Sequence, residues 1–199
     1  EIMVPLVGAG LALDPKGNLY IGLGLRKLVD GKEVEGFSLL KFPPSGGRFL
    51  FSGKGMPIPL KELPTQAPDF RAQYTSEGDK GPSGEVGYGD KCWAEGMLWS
   101  VGGLYPAATN HCHCSHKSAF DLDLYCRAFI PEANRYSYSV VDGNGNFILR
   151  FGSYGNPDER GPEMRWAYSR FVGVNVKRIY VDDEGNRRIL SLDIKYEKE

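Results

Sequence analysis

Histidine is scarce in this chain. Three occur in 199 residues, and all three fall between Asn110 and Asp123. A general base anywhere else would have to be a carboxylate, a tyrosine or a lysine. Charge of one sign is also lacking: 24 basic and 25 acidic residues leave a formal charge of −1. Without a basic field to hold a phosphate backbone, nucleic acid is not expected as a partner. No apolar run approaches the ~20 residues of a membrane helix, so no membrane span is expected. The common catalytic signatures are missing too. There is no Gly-x-Ser-x-Gly, no His-Glu-x-x-His and no serine-triad order, and Ser52-Gly53-Lys54-Gly55 lacks the spacing of a phosphate loop. Helical periodicity is not sustained anywhere. The stretch "PLKELPTQAPDFRAQY" contains three prolines and reads as loop.

What the sequence does hold is turn and strand chemistry. Its 26 glycines, 13 prolines and 11 tyrosines tilt the balance that way. Three stretches are variants of one pattern: "GLALDPKGNLYIGLG" from Gly10, "AFDLDLYCRAFIPEANRYSYSVVD" from Ala119, and "FVGVNVKRIYVDDEGNRRILSLDI" from Phe171. Each places a short apolar strand, a polar turn and a second strand with an aromatic at its middle. In the second and third, Asn134-Arg135 and Asn186-Arg187-Arg188 lead into a third strand. Leu11 and Leu13 alternate with Leu19 and Ile21 across the Asp14–Asn18 turn, as two half-buried antiparallel strands would. Ile179 and Val181 alternate around Tyr180, and Asp142-Gly143-Asn144-Gly145 is a strong hairpin signal.

The run of Asp, Gly, apolar-Tyr-apolar, Asp and Gly-Asn-Arg-Arg-Ile, best seen in "RIYVDDEGNRRILSLDI", resembles the NHL repeat of β-propellers. The first stretch matches only the front half of that repeat, and the second has Pro131-Glu132 where an acidic turn is usual. The stretch from Phe120 to Pro162 also resembles large extracytoplasmic bacterial NHL proteins. The resemblance implies an all-β fold of NHL-like propeller blades. The aromatic of the second strand recurs after 109 residues (Tyr20 to Phe129) and then after 51 (Phe129 to Tyr180), against about 40–50 for one blade. The expectation is therefore an incomplete propeller with a long loop insertion: a first blade over residues 1–49, an insertion or degenerate blade over 50–117, and two further blades over 118–199. Another protein chain or a second copy would complete it, because an open end exposes unpaired strand edges.

The insertion carries the densest chemistry. Cys92, Cys112, Cys114 and His116 form a candidate metal set, with zinc or iron favoured by thiolates and imidazole. Spacing alone leaves three alternatives open. Disulfides are one; a bridge between Cys112 and Cys114 across a single residue would be strained, which leaves pairings such as Cys92–Cys112 with Cys114–Cys126. A metal ion is the second, although zinc sites usually pair Cys-x2–4-Cys twice. Haem c is the third: Cys112-His113 supplies only the end of the usual Cys-x-x-Cys-His, with His111, His113, His116 and Met97 as candidate haem ligands. Cys126 reads as a strand residue with core character. Asp121, Asp123, Asp182 and Asp183 invite calcium, or more simply cap backbone amides at turns. The Asn-Arg-Arg of 186–188 offers an anion site, or, as the repeat resemblance implies, an arginine stacked on aromatics between blades.

Three functions follow as expectations. The first is an exported propeller module for protein interaction or assembly, with the Cys/His cluster binding a metal or forming disulfides. The second is a haem- or iron-containing electron-transfer subunit. The third is a metal-dependent lyase or hydrolase, because the amidating lyase that acts on peptidyl-hydroxyglycine is an NHL-like zinc propeller. That enzyme spreads its histidines over several blades, whereas here all three lie in one stretch. The chain opens Glu1-Ile2-Met3 with no charged and apolar leader, and the bacterial resemblance implies a periplasmic or extracellular location.

Overall fold

The computed structural model describes residues 10–52, 63–72, 91–104, 118–156, 158 and 163–196. It is almost entirely β, in several sheets whose pairings are nearly all antiparallel; the described residues contain no α-helix. The first sheet has the order β1 (Leu11–Leu13), β2 (Leu19–Leu23), β5 (Phe37–Phe42), β9 (Trp99–Leu104). The second is an up-and-down meander of β10 (Asp121–Leu122), β11 (Ala128–Glu132), β12 (Ser137–Val141) and β13 (Phe147–Phe151). The third contains β16 (Val172–Val174), β17 (Arg178–Asp183) and β18 (Arg188–Asp193). A parallel pair, β14 (Ser153–Tyr154) with β15 (Arg165–Trp166), links the second sheet to the third.

The remaining strands form an inserted sheet in the order β4 (Lys32–Glu33), β3 (Leu25–Val29), β7 (Phe70–Ala72), β8 (Lys91–Glu95), β6 (Arg48–Phe51). The described strands between β5 and β9 therefore belong to this inserted sheet, and β9 completes the first one by pairing with β5. Phe70 already belongs to a strand, β7, within the proline-punctuated stretch that reads as loop from sequence.

The first turn of each of the three repeats is capped by an Asp or Asn side chain. A side-chain oxygen of Asp14 accepts from the amides of Lys16 and Asn18, and Asp123 accepts from those of Tyr125 and Arg127. Asn175 accepts from Lys177 and Arg178 in a turn one residue shorter. These Asx turns join the first and second strands of each repeat. The next turn also recurs. Glu132 and Asp183 each precede a single 3-10 turn, closed by Tyr136 (φ 52°) and Arg187 (φ 54°) in the left-handed region. Glu132 thus takes the acidic place, with its buried carboxylate accepting from Arg150 and Ser137.

The sheets stack face on face, and three apolar layers lie between them. Ile21, Leu23, Leu40 and Phe42 of the first sheet and its continuation pack against Phe49, Phe51, Phe70 and Cys92 of the inserted sheet. On its other face, Tyr20, Leu39 and Leu104 pack against Ala128, Ile130 and Val141 of the second sheet. Phe129, Tyr138 and Val140 then pack against Ile179, Val181 and Trp166. Alternation along each strand sends neighbouring residues to opposite layers. The first strands of the three repeats also touch one another, β1 with β10 and β10 with β16. The Val174 amide donates to Asp121 at 2.8 Å across that seam. Leu11 and Leu13, expected to be half-buried, are 63% and 64% exposed. They share a face with Ile21, but β1 is the edge strand of its sheet, and the described part of the inserted sheet packs over Ile21 and Leu40 instead.

Candidate functional site

The Cys/His segment divides at the boundary of what is described. Cys112, Cys114, His111, His113 and His116 lie outside the described residues. Cys92 lies within them, on β8, with its side chain among Ile21, Phe51, Phe70 and Ala94. It is a free thiol with no solvent exposure. Burial pushes its pKa well above the ordinary thiol range, with the Asp69 carboxylate adding to the effect. That environment stabilises the neutral thiol, whereas a metal or a disulfide exchange needs the thiolate. Met97 packs against the same layer. Cys126 is also free. It sits in the turn between β10 and β11 at φ 59°, not in a strand, and packs beside Tyr20 and Ala128. Among the described residues, no group of three or more His, Cys, Asp or Glu side chains is placed to hold a metal ion.

The acidic pairs cap backbone. Asp182 accepts from the amides of Arg170 and Phe171 and from the Ser169 hydroxyl at 2.7–2.9 Å. Asp183 accepts from the Ala167 amide, Asn186 and Arg188. Burial alone would raise the Asp183 pKa, but these donors outweigh it and hold the group below the usual carboxylate range. Arg188 is therefore tied to Asp183 rather than stacked on an aromatic.

A polar cluster that the sequence did not reveal lies between the first and second sheets. Lys41, on β5, is 7% exposed. Its ammonium donates to the Tyr20 hydroxyl at 2.7 Å and to the Gly143 carbonyl at 3.0 Å, and pairs with Asp14 at 3.1 Å. Three donors meet three acceptors, so the buried charge is saturated. Burial works against the Lys41 charge, yet the bonds to Tyr20 and Asp14 prevail and raise its pKa. Tyr20 is raised by burial, which outweighs the opposing effect of Lys41. Trp99 Nε1 also donates to Gly143 at 3.0 Å. A saturated cation braced on both sheets has no proton or lone pair to spare for substrate, so the cluster joins sheets. Only the alternation of Lys41 with Leu40 and Phe42 hinted that it points opposite to them.

The other notable surface is the outer face of the third sheet. Tyr180 and Ile189 are 42% and 75% exposed there. Arg178 pairs with Asp193 at 3.2 Å on the same face. Beside it is an open cleft of about 590 Å³ lined by Arg170, Asp182, Glu184, Arg187, Arg188 and Ile189. Within that cleft Arg170 is held by Glu184 at 2.5 Å.

The first turns and the strand registers put two positions of each sheet in correspondence. Tyr20, Phe129 and Tyr180 occupy one place in the second strand. Leu39, Tyr138 and Ile189 occupy one place in the third, two residues from the cross-strand partner of that aromatic. Tyr20 and Leu39 are buried under the second sheet, and Phe129 and Tyr138 under the third. No family model matches the chain, and no curated protein matches it.

Proposed function

We propose that this chain is a sector of an NHL-like propeller and works as an assembly module: its three repeat sheets are blades, and further sheet from another chain or a second copy continues the stack. One observation carries this. The pair of side chains with which each sheet covers its successor is buried twice and then, at Tyr180 and Ile189, left open. An exposed apolar pair at a position that is elsewhere an inter-sheet contact marks an interaction face. The saturated Lys41 cluster and the free, core-packed Cys92 support a structural role over chemistry at those residues. A periplasmic or extracellular location belongs to the same proposal and rests on the sequence resemblance.

The test compares equivalent positions. Tyr138→Ala empties a layer inside the chain, and its thermal midpoint falls by several degrees, as a core truncation does. Ile189→Arg, at the corresponding place one sheet on, leaves the midpoint within about 2 °C in dilute, monomeric solution, as for an ordinary surface change. Equal losses in the two variants would overturn the reading, because Ile189 would then be interior. An absorption spectrum with elemental analysis tests the Cys/His segment independently: a Soret or iron–sulfur band would favour the electron-transfer reading.

A further inference from the structure

We propose that two copies of this chain pack third sheet against third sheet about a two-fold axis running along the strands. This rests on the assembly reading and names its partner. The stack is one-sided. At its front, the inserted sheet already covers Ile21, Leu40 and Phe42 of the first sheet. A copy arriving head to tail would need that covered face. Only a face-to-face arrangement covers the last sheet of both copies at once, and it is the closed, isologous contact that most dimers use.

The face is also self-complementary. Along β17 the outward residues are Arg178, Tyr180 and Asp182; along β18 they are Asp193, Ser191 and Ile189, paired in that register. A two-fold axis parallel to the strands sets β17 over the partner's β18 while keeping like ends together. Arg178 of each copy then faces the partner's Asp193, twice over. Tyr180 lies over the partner's Ser191, and Ile189 over the partner's Asp182, whose carboxylate is turned back onto the Arg170 and Phe171 amides. Arg178 and Asp193 are both well exposed in the single chain, with side-chain exposures of 53% and 70%, so each can reach across. Charge arranged this way fixes register and excludes wrong pairings more than it adds affinity.

Sedimentation velocity on the full chain, run from low to high micromolar concentration, tests this. The expected mass rises from 22.0 kDa towards twice that value. Ile189→Arg and Tyr180→Asp each weaken the dimer at least tenfold, while the thermal midpoint holds at dilutions where the parent is monomeric. Arg178→Glu and Asp193→Arg each weaken it alone, because like charges then meet at both contacts. Mixing those two chains restores association, since both contacts of the mixed dimer regain opposite charges. A chain that stays at 22.0 kDa throughout overturns the proposal and points to sheet from a different polypeptide. A dimer unmoved by Ile189→Arg overturns it as well, as does a mixture no tighter than either variant alone. The sector reading stands or falls separately, on the thermal comparison of Tyr138 with Ile189.

Discussion

The two inter-sheet layers of the repeat region are built at equivalent positions from different chemistry. Between the first and second sheets, the middle strand contributes Lys41, whose ammonium reaches Asp14, Tyr20 and the Gly143 carbonyl. Between the second and third, the corresponding residue is Val140, and the layer is aromatic. Tyr138 stacks on Phe151 at 5.5 Å, and both meet the Trp166 ring edge-on at 5.3 and 6.1 Å. The same backbone plan therefore tolerates a charge at its centre where every hydrogen of the ammonium has an acceptor. The aromatic layer depends on area and shape, the ionic one on completeness. They should fail differently when broken.

The aromatic layer gives the largest effect. Trp166 is fully buried and comes from β15, outside the repeat sheets. Trp166→Ala should cost about 3–5 kcal/mol, read from urea denaturation. Gly152 reports the same contact from the other side. It sits at φ +97°, and a Cβ there would lie 2.0 Å from the Trp166 ring. Gly152→Ala should therefore lose stability even though it adds only a methyl group. A Trp166→Ala loss below about 1 kcal/mol, the range of a surface change, would show that the aromatic layer does not hold the third sheet.

The ionic layer sharpens the comparison through a pair of variants. Lys41→Met removes the cation beside the buried Asp14 carboxylate, which keeps only the neutral donors of Lys16 and Asn18, at an expected cost of about 3 kcal/mol. The neutral acceptors suffer less. Gly143 keeps the Trp99 indole donor, and Tyr20 still reaches the Cys126 carbonyl at 3.4 Å. Most of the cost is then a buried carboxylate without its cation, so Lys41→Met with Asp14→Asn should be more stable than Lys41→Met alone. If the double variant is weaker than the single one by the full effect of Asp14→Asn, the two residues are uncoupled and the account of this layer is wrong.

Much of this fold could be read locally, and what escaped was non-local. The hairpins at Asp142–Gly145 and the alternation around Tyr180 follow from short-range turn and pleat chemistry, and the structure has both. Sequence could not show that β5 pairs with β9 across an inserted sheet, because no period or turn links Leu40 to Ser100. Nor could it show that Leu11 and Leu13 lie uncovered, since pattern gives the face of a strand but not what sits on it. Cys126 misleads for a related reason. Its apolar neighbours suggest strand, while the Asp123 cap before it forces a left-handed turn. The Cys/His segment had density without a diagnostic spacing. Of its members the structure describes Cys92, and there the deciding property was burial among phenylalanines contributed by three other strands.

The smallest effect concerns the acidic turn caps, and acid titration exposes it. Asp142 has its pKa lowered chiefly by the Asn146 side chain, then by the Asn146 amide, against a small opposing effect of burial. Asp14 and Asp183 are also lowered: their donors overcome the burial that would raise them. A carboxylate with a depressed folded pKa contributes stability that is fully present above its unfolded value of about 3.9. That contribution is lost as pH falls through the folded value, where both states carry the proton. Stability should therefore be flat from neutral pH to about 5 and then drop on further acidification. Asp142→Ala removes one cap at a half-exposed hairpin and should cost about 1 kcal/mol at pH 7, in the range of other side-chain caps. Below the folded pKa of Asp142 the variant and the parent should converge, because the protonated parent has lost its charged acceptor too. A gap that stays constant down to pH 2.5, followed by thermal unfolding, would mean that the Asp142 contribution is steric rather than electrostatic. The hairpin between β12 and β13 would then owe its shape to Gly143 and Gly145.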